Sequence, residues 1–197
     1  MIGKSKFLEE EIPYEKLEKI GITRKGVLSM PKDIIEPLVN GRVTPLIMTR
    51  YKADNGKVIE MPMKLQLDRA ENGDVRLMTY QVRKDIEREN PKLSDKELEQ
   101  VKNGEAIKKE VKEDGMRKQK YIQLDQETKS LILKDAAAVK ITEKLREMEK
   151  IKDIGLGENQ KQAAIEGKPI ELSVGDQKVT VGVDLREPQG FKVVNGD

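Results

Sequence analysis

Three aspartates recur at one place in a repeated sequence pattern and are the first residues of this chain that could do chemistry. Asp68, Asp125 and Asp184 each close an apolar-x-apolar-Asp motif. Carboxylates repeated in this way could ligate divalent cations or act as acid and base. A calcium loop, however, needs several alternating oxygen ligands, and no Asp-x-Asx-x-Asx pattern is present. We therefore expect each aspartate to cap the turn after its strand.

A basic cluster surrounds a predicted hairpin in the middle of the chain. Its members are Lys108, Lys109, Lys112, Arg117, Lys118, Lys120 and Tyr121. Such a ribbon could contact the phosphates of a nucleic acid. Acidic residues interleave with the lysines, and with four Tyr and two Phe the chain offers no stacking platform for bases. We expect an ordinary solvated face, with nucleic-acid binding as the alternative.

The residue types that most enzymes need are missing. The chain has no Cys and no His, which excludes thiolate nucleophiles, disulfides, and the commonest general base and metal ligand. The run Gly155-Leu156-Gly157 lacks the Lys and Ser or Thr of a phosphate-binding loop. The scarcity of aromatic residues argues against a sugar-binding cleft. The sequence thus predicts no enzyme, no cofactor, no metal and no catalytic residue.

Composition indicates a folded protein with an aliphatic core. Charged residues make up 38% of the 197 residues and aromatic residues 3%, with a net charge of +2. This charge gives no overall field that would attract nucleic acid or an anionic membrane. The first residues lack the apolar run of a secretory signal, and no stretch approaches the roughly 20 apolar residues of a membrane span. We expect a cytoplasmic protein without a membrane segment.

Three equally spaced glycines, Gly41, Gly104 and Gly167, reveal an internal repeat. Each follows an amphipathic stretch that predicts a short helix, at 28–40, 93–103 and 156–166. Ser29 and Ser94 suit helix N-caps, whereas the third copy has a glycine at that place. The repeated glycines suit the left-handed residue that follows a helix. Pro37 is unfavourable inside the first helix.

Three predicted strands follow each of these glycines. The first hairpins turn at Asp54-Asn55-Gly56, Asp114-Gly115 and Gly175-Asp176, and the second at 71–74, 127–129 and 187–190. The pattern predicts an α+β fold of three tandem units, each a short helix followed by a three-stranded antiparallel meander. Whether these units form one body or separate domains stays open.

Two more helices lie outside the repeats. Residues 14–21 predict a short helix after Pro13. Residues 135–154 predict a longer amphipathic helix, with apolar residues at helical spacing: Ala138, Ile141, Leu145, Met148 and Ile151. The expected boundaries are an N-terminal helical segment 1–27, repeats at 28–90, 91–134 and 156–197, and a connecting helix 135–155.

Several stretches resemble uncharacterised domain families of Bacteroidetes proteins. They are residues 12–23, 38–46, 123–125 and 182–185, and the likeness extends over nearly the whole chain. Such proteins are often encoded on conjugative transposons and other mobile elements. The resemblance therefore implies an intracellular accessory role. It brings no known catalytic residues, so none is transferred.

The expected function is that of a non-enzymatic protein-binding scaffold. Repeated units build extended surfaces that bind partners without chemistry. An edge strand at 170–174 could accept a strand of a partner protein, or could pair with a neighbouring unit. The alternative is a nucleic-acid-binding accessory protein that uses the basic hairpin of the second repeat. The oligomeric state stays open.

Overall fold

A computed structural model describes residues 6–70, 72–150 and 154–196. The described residues form six α-helices and three separate three-stranded antiparallel sheets, which confirms the predicted α+β fold of tandem units. The chain divides into two compact units, Met1–Lys84 and Asp85–Asp197, called unit 1 and unit 2 below. Unit 1 contains the first repeat except for its predicted last residues, 85–90, and unit 2 contains the second and third repeats.

Unit 1 packs three helices against one sheet. A 3-10 turn at Glu9–Glu11 precedes the helices α1 (Tyr14–Lys19), α2 (Arg24–Leu28) and α3 (Lys32–Val39), and the strands are β1 (Ile47–Lys52), β2 (Val58–Arg69) and β3 (Val75–Gln81) in the order β1-β2-β3. Leu65 and Leu67 of β2 are buried beside Leu17 of α1 and Leu38 of α3. The motif that carries Asp68 therefore supplies the centre of the core.

Unit 2 contains two sheets and three helices. The second repeat consists of α4 (Asp95–Lys102), β4 (Ile107–Glu113), β5 (Met116–Leu124) and β6 (Leu131–Asp135). After α5 (Ile141–Glu149), the third repeat consists of α6 (Glu158–Ile165), β7 (Ile170–Val174), β8 (Gln177–Val183) and β9 (Phe191–Gly196). The strand orders are β4-β5-β6 and β7-β8-β9. Each meander is thus connected as predicted.

The three repeated glycines end their helices in the same way. Gly41, Gly104 and Gly167 have φ angles of 75°, 88° and 105°. At Gly104 the glycine amide donates to the Val101 carbonyl at 3.1 Å, and the next amide donates to the Gln100 carbonyl at 3.0 Å. The other two copies repeat this pair of hydrogen bonds. The predicted left-handed helix ends are confirmed.

The helix starts follow the prediction in the second repeat but not in the first. Ser94 accepts a hydrogen bond from the Glu97 amide at 3.1 Å and caps α4 as expected. The predicted cap at Ser29 is wrong, because this residue follows α2 and its hydroxyl donates to the Lys25 carbonyl. Pro31 instead precedes α3. Each repeat has a residue at the same distance before its terminal glycine. These equivalent residues are Pro31, Ser94 and Gly157.

The predicted long helix is shorter than expected. Asp135 ends β6 opposite Lys120, a 3-10 turn at Ala136–Ala138 follows, and α5 begins only at Ile141. Pairing with β5 therefore takes precedence over helix formation at the start of this stretch. Ile141, Leu145 and Met148 are buried as predicted, whereas the predicted apolar position Ile151 lies outside the described residues.

The second and third repeats contact each other within unit 2. The Tyr121 hydroxyl donates to the Ile165 carbonyl at 2.5 Å. The Leu185 amide donates to the Gln123 side chain at 2.8 Å, and the Lys134 ammonium donates to the Pro188 carbonyl at 2.8 Å. The third repeat therefore covers the part of one face of the sheet β4-β5-β6 around Tyr121, and these two repeats belong to one compact unit.

Candidate functional site

The repeated aspartates have structural partners. Asp125 is buried and accepts hydrogen bonds from the Thr128 amide and hydroxyl at 2.9 and 2.7 Å, and Asp184 accepts one from the Arg186 amide at 3.1 Å. Both cap turns, as predicted. At Asp68 the prediction is wrong. Strand β2 continues beyond this residue, and its carboxylate accepts a hydrogen bond from Arg76 on β3 at 2.7 Å.

Neither a metal-type cluster nor a membrane-type helix occurs in the described parts of the chain. Among residues 6–70, 72–150 and 154–196, no three His, Cys, Asp or Glu side chains lie close enough to hold a metal ion. Over the same residues, the helices are too short and too polar to cross a membrane.

The predicted basic cluster is divided between the two faces of a hairpin. Side chains alternate along a strand, and residues opposite each other in the register share a face. Lys108 is paired with Tyr121 and Lys112 with Arg117, on one face of β4 and β5. Lys109, Lys118 and Lys120 lie on the opposite face, which also carries Ile107 and Ile122 of the core.

Carboxylates neutralise the lysines on the core face. Lys120 is only 11% exposed in its side chain and bridges Glu113 on β4 and Asp135 on β6, the latter at 3.2 Å. Burial alone would lower the pKa of Lys120, but the hydrogen bonds to both carboxylates outweigh it and the pKa is raised. Lys118 lies 3.9 Å from the same Asp135. This arrangement stabilises the hairpin.

Lys109 pairs with the helix of its own repeat. Its ammonium donates to the Glu97 carboxylate at 2.7 Å, and Glu97 also accepts a hydrogen bond from the Ser94 amide. Burial would raise the pKa of Glu97, but the hydrogen bonds from Lys109 and Ser94 lower it below its usual value. The pair joins the first turn of α4 to strand β4.

The opposite face of the hairpin keeps exposed cations. Lys108, Lys112 and Arg117 are exposed there, with Glu110 between the two lysines. The Lys108 ammonium lies 5.9 Å from the centre of the Tyr121 ring. Burial raises the pKa of the Tyr121 phenol, whose hydroxyl is bound to the third repeat. The structure thus brings three of the predicted residues together on one solvated face.

One position in each repeat lies between the helix and the first strand. Counted from the terminal glycine, this position holds Ile34, Glu97 and Gln160. Glu97 and Gln160 both accept a hydrogen bond from the backbone amide of the N-cap residue, at 2.9 Å in each case. Pro31 has no amide hydrogen to donate. The first repeat can therefore carry an apolar side chain at a position where the other two carry a polar one.

A groove whose lining side chains are mostly aliphatic lies at this position in unit 1. It has a volume of about 440 Å³ and is lined by Gly21, Ile22, Thr23, Gly26, Met30, Ile34, Leu46, Ile47 and Met48, a set called the unit 1 groove below. Met48 is 60% exposed, and Ile34 and Ile47 are half-buried. The corresponding groove of the second repeat has a volume of about 420 Å³ and contains the Glu97–Lys109 pair.

Strand β1 turns part of its backbone towards the unit 1 groove. The Ala53 amide donates to the Lys57 carbonyl across the hairpin at 2.9 Å. Because the direction of hydrogen bonding alternates along an antiparallel strand, the backbones of Met48 and Arg50 point away from β2. Gly21 covers the edge at Arg50, since a Cβ there would lie 1.4 Å from the Arg50 carbonyl oxygen. Met48 opens onto the groove.

In the third repeat the chain itself covers the corresponding edge. Ile154 forms an antiparallel bridge with Val174 of β7. The Gln160 side chain also donates to the Glu171 carbonyl of this strand at 3.1 Å. The predicted edge at Ile170–Val174 is therefore contacted by a preceding segment of the same unit.

The sequence did not point to the unit 1 groove. Ser29 as N-cap starts the first repeated helix two residues before its observed start. With that start, Ile34 is not aligned with Glu97 and Gln160. Counting backwards from the repeated glycines gives the correct alignment and was the available signal. The groove residues on β1 carry no sequence motif of their own.

Comparison with known proteins finds one family model that matches part of the chain. Residues 7–91 match the model of a family described as a protein of unknown function (DUF4099). The expected resemblance to an uncharacterised domain family is confirmed for this stretch, which contains the whole unit 1 groove. No curated protein and no solved structure matches the chain.

Proposed function

We propose that this chain is a non-enzymatic intracellular protein-binding scaffold. The observation that carries the proposal is the groove position, which lies between helix and first strand in all three repeats and holds Ile34, Glu97 or Gln160. The module is kept while the chemistry of this position changes. In the first two repeats this position lines a groove, and the difference suits binding surfaces for different partners or different segments of one partner.

The second part of the proposal is that the chain is an accessory protein of a mobile genetic element. It is supported by the resemblance of residues 12–23 and 38–46 to domain families of Bacteroidetes mobile elements. Repeated binding modules would suit an accessory protein that brings other proteins together.

Co-purification from cells that naturally express the chain tests the proposal. The tagged full chain is recovered with and without nuclease treatment, and bound proteins are identified by mass spectrometry. We expect one or a few proteins, in near-stoichiometric amounts, in both samples. Recovery of background proteins alone would contradict protein binding.

Nucleic-acid binding is the second candidate, because Lys108, Lys112 and Arg117 share an exposed face. A mobility shift at low salt that is lost in the double variant Lys112→Glu, Arg117→Glu would support it. Lys96→Glu, an exposed lysine on α4, serves as the control. An unshifted probe with the wild-type chain would eliminate this candidate.

A further inference from the structure

We infer that the unit 1 groove binds an extended peptide segment of a partner protein with alternating aliphatic side chains, added as an antiparallel strand beside β1. The inference rests on the proposed protein-binding function and names its site and the chemistry of its ligand. Adding a strand to an exposed sheet edge is a recurring mode of peptide recognition.

The third repeat provides the internal precedent. Its first strand already carries an added segment, because Ile154 bridges Val174 in antiparallel orientation. In this segment Ile154 and Leu156 are half-buried while Gly155 and Gly157 are exposed. An extended backbone with alternate aliphatic side chains therefore fits beside the first strand of this module.

The unit 1 groove has the surfaces that such a segment needs. Ile34 and Ile47 give an apolar floor where the second repeat has an ion pair. The backbone of Met48 points away from β2 and can pair with a peptide, whereas Gly21 closes the edge at Arg50. A short segment of alternating aliphatic residues, anchored at Met48, satisfies both features.

The groove is tested with peptides and full-length protein. A phage-displayed library of random seven-residue peptides is selected on the wild-type chain, and an enriched peptide is labelled with fluorescein for polarisation measurements. We expect alternating aliphatic residues in the enriched sequences. N-methylation of the peptide backbone on its strand-pairing side should weaken binding by at least about tenfold, since it removes the donors of the added strand.

Two kinds of variant separate the backbone of the groove from its floor. Met48→Pro removes an amide that points away from β2, a place where an edge strand tolerates proline, while Met48→Ala keeps that amide. Met48→Pro should weaken binding by at least about tenfold and Met48→Ala by less than about threefold. The double variant Ile34→Glu, Ile47→Lys introduces the ion pair of the second repeat and should also weaken binding by at least about tenfold.

Circular dichroism and thermal unfolding verify that each variant is folded. Equal peptide binding by wild type, Met48→Pro and the folded double variant would overturn the inference. So would a dimer of the wild-type chain that Met48→Pro dissociates, because the occupant would then be a second copy. If a partner still co-purifies with both variants, the groove assignment fails and the proposed function stands. If neither a partner nor a peptide is found, both fail.

Discussion

At the scale of single residues, backbone requirements decide which side chains the repeats can carry. Pro31 precedes α3 without an amide hydrogen, so there is no N-cap amide for the side chain at position 34 to accept, and Ile34 can be apolar. Ser94 and Gly157 have such a hydrogen, and Glu97 and Gln160 accept it. Pro31 thus removes, in the first repeat, the amide-to-side-chain hydrogen bond that the other two repeats make at this position.

The terminal glycines provide a matched pair of substitutions in unit 2. Gly104→Ala places a Cβ in open space at a positive φ and should cost about 1–2 kcal/mol. Gly167→Ala should cost clearly more, because its Cβ would lie 2.4 Å from the Ala106 carbonyl oxygen. Denaturant unfolding of both variants measures the difference. Equal costs would show that Gly167 is not in close contact with the second repeat.

The Glu97 carboxyl predicts a pH dependence of stability. Hydrogen bonds hold the pKa of Glu97 below 4.5 in the folded chain. Its contribution to stability is therefore present above pH 4.5 and is lost as the pH falls through the lower folded-state pKa. Glu97→Gln should flatten the decline of the free energy of unfolding in acid. An unchanged acid limb in the variant would contradict the assignment.

At the scale of elements, turns and helix ends could be predicted from sequence, whereas helix lengths could not. Positive φ at Asp114, Gly115 and Gly175 follows from residue type and short loops. The sequence predicts the start of α5 too early, because Asp135 is as suitable for a helix start as for a strand end. The strand pairing of Asp135 with Lys120 depends on a tertiary contact that the local sequence does not show. Apolar periodicity alone also gave no signal for the short helix α2, whose cap is Thr23.

Substitutions at the N-caps of α4 and α6 in unit 2 should have opposite effects on stability. Ser94→Ala removes the hydrogen bond to the Glu97 amide and should lower the free energy of unfolding by about 1 kcal/mol. Gly157 has nearly the same backbone angles as Ser94, so Gly157→Ser should raise it by a few tenths of a kcal/mol. Both changes are measurable by chemical denaturation. A destabilising Gly157→Ser would show that the two caps are not equivalent.

At the scale of the whole molecule, the repeat was visible in the sequence but the packing of its copies was not. Glycine spacing predicted three meanders. Contacts such as Tyr121 with Ile165 and Gln123 with Leu185 join residues that carry no signal of their partnership. The seven-residue basic cluster shows the same limit of sequence-based prediction. Only the strand register shows which of its lysines lie beside carboxylates on the core face of the sheet.

Amide chemical-shift mapping of the isotopically labelled chain with a selected peptide tests the central claim, that a groove between helix and first strand is the binding surface. Perturbed amides should cluster at residues 21–26, 30–34 and 46–48, with the largest change at Met48. Perturbations confined to the exposed hairpin face at Lys108, Lys112 and Arg117 would contradict it.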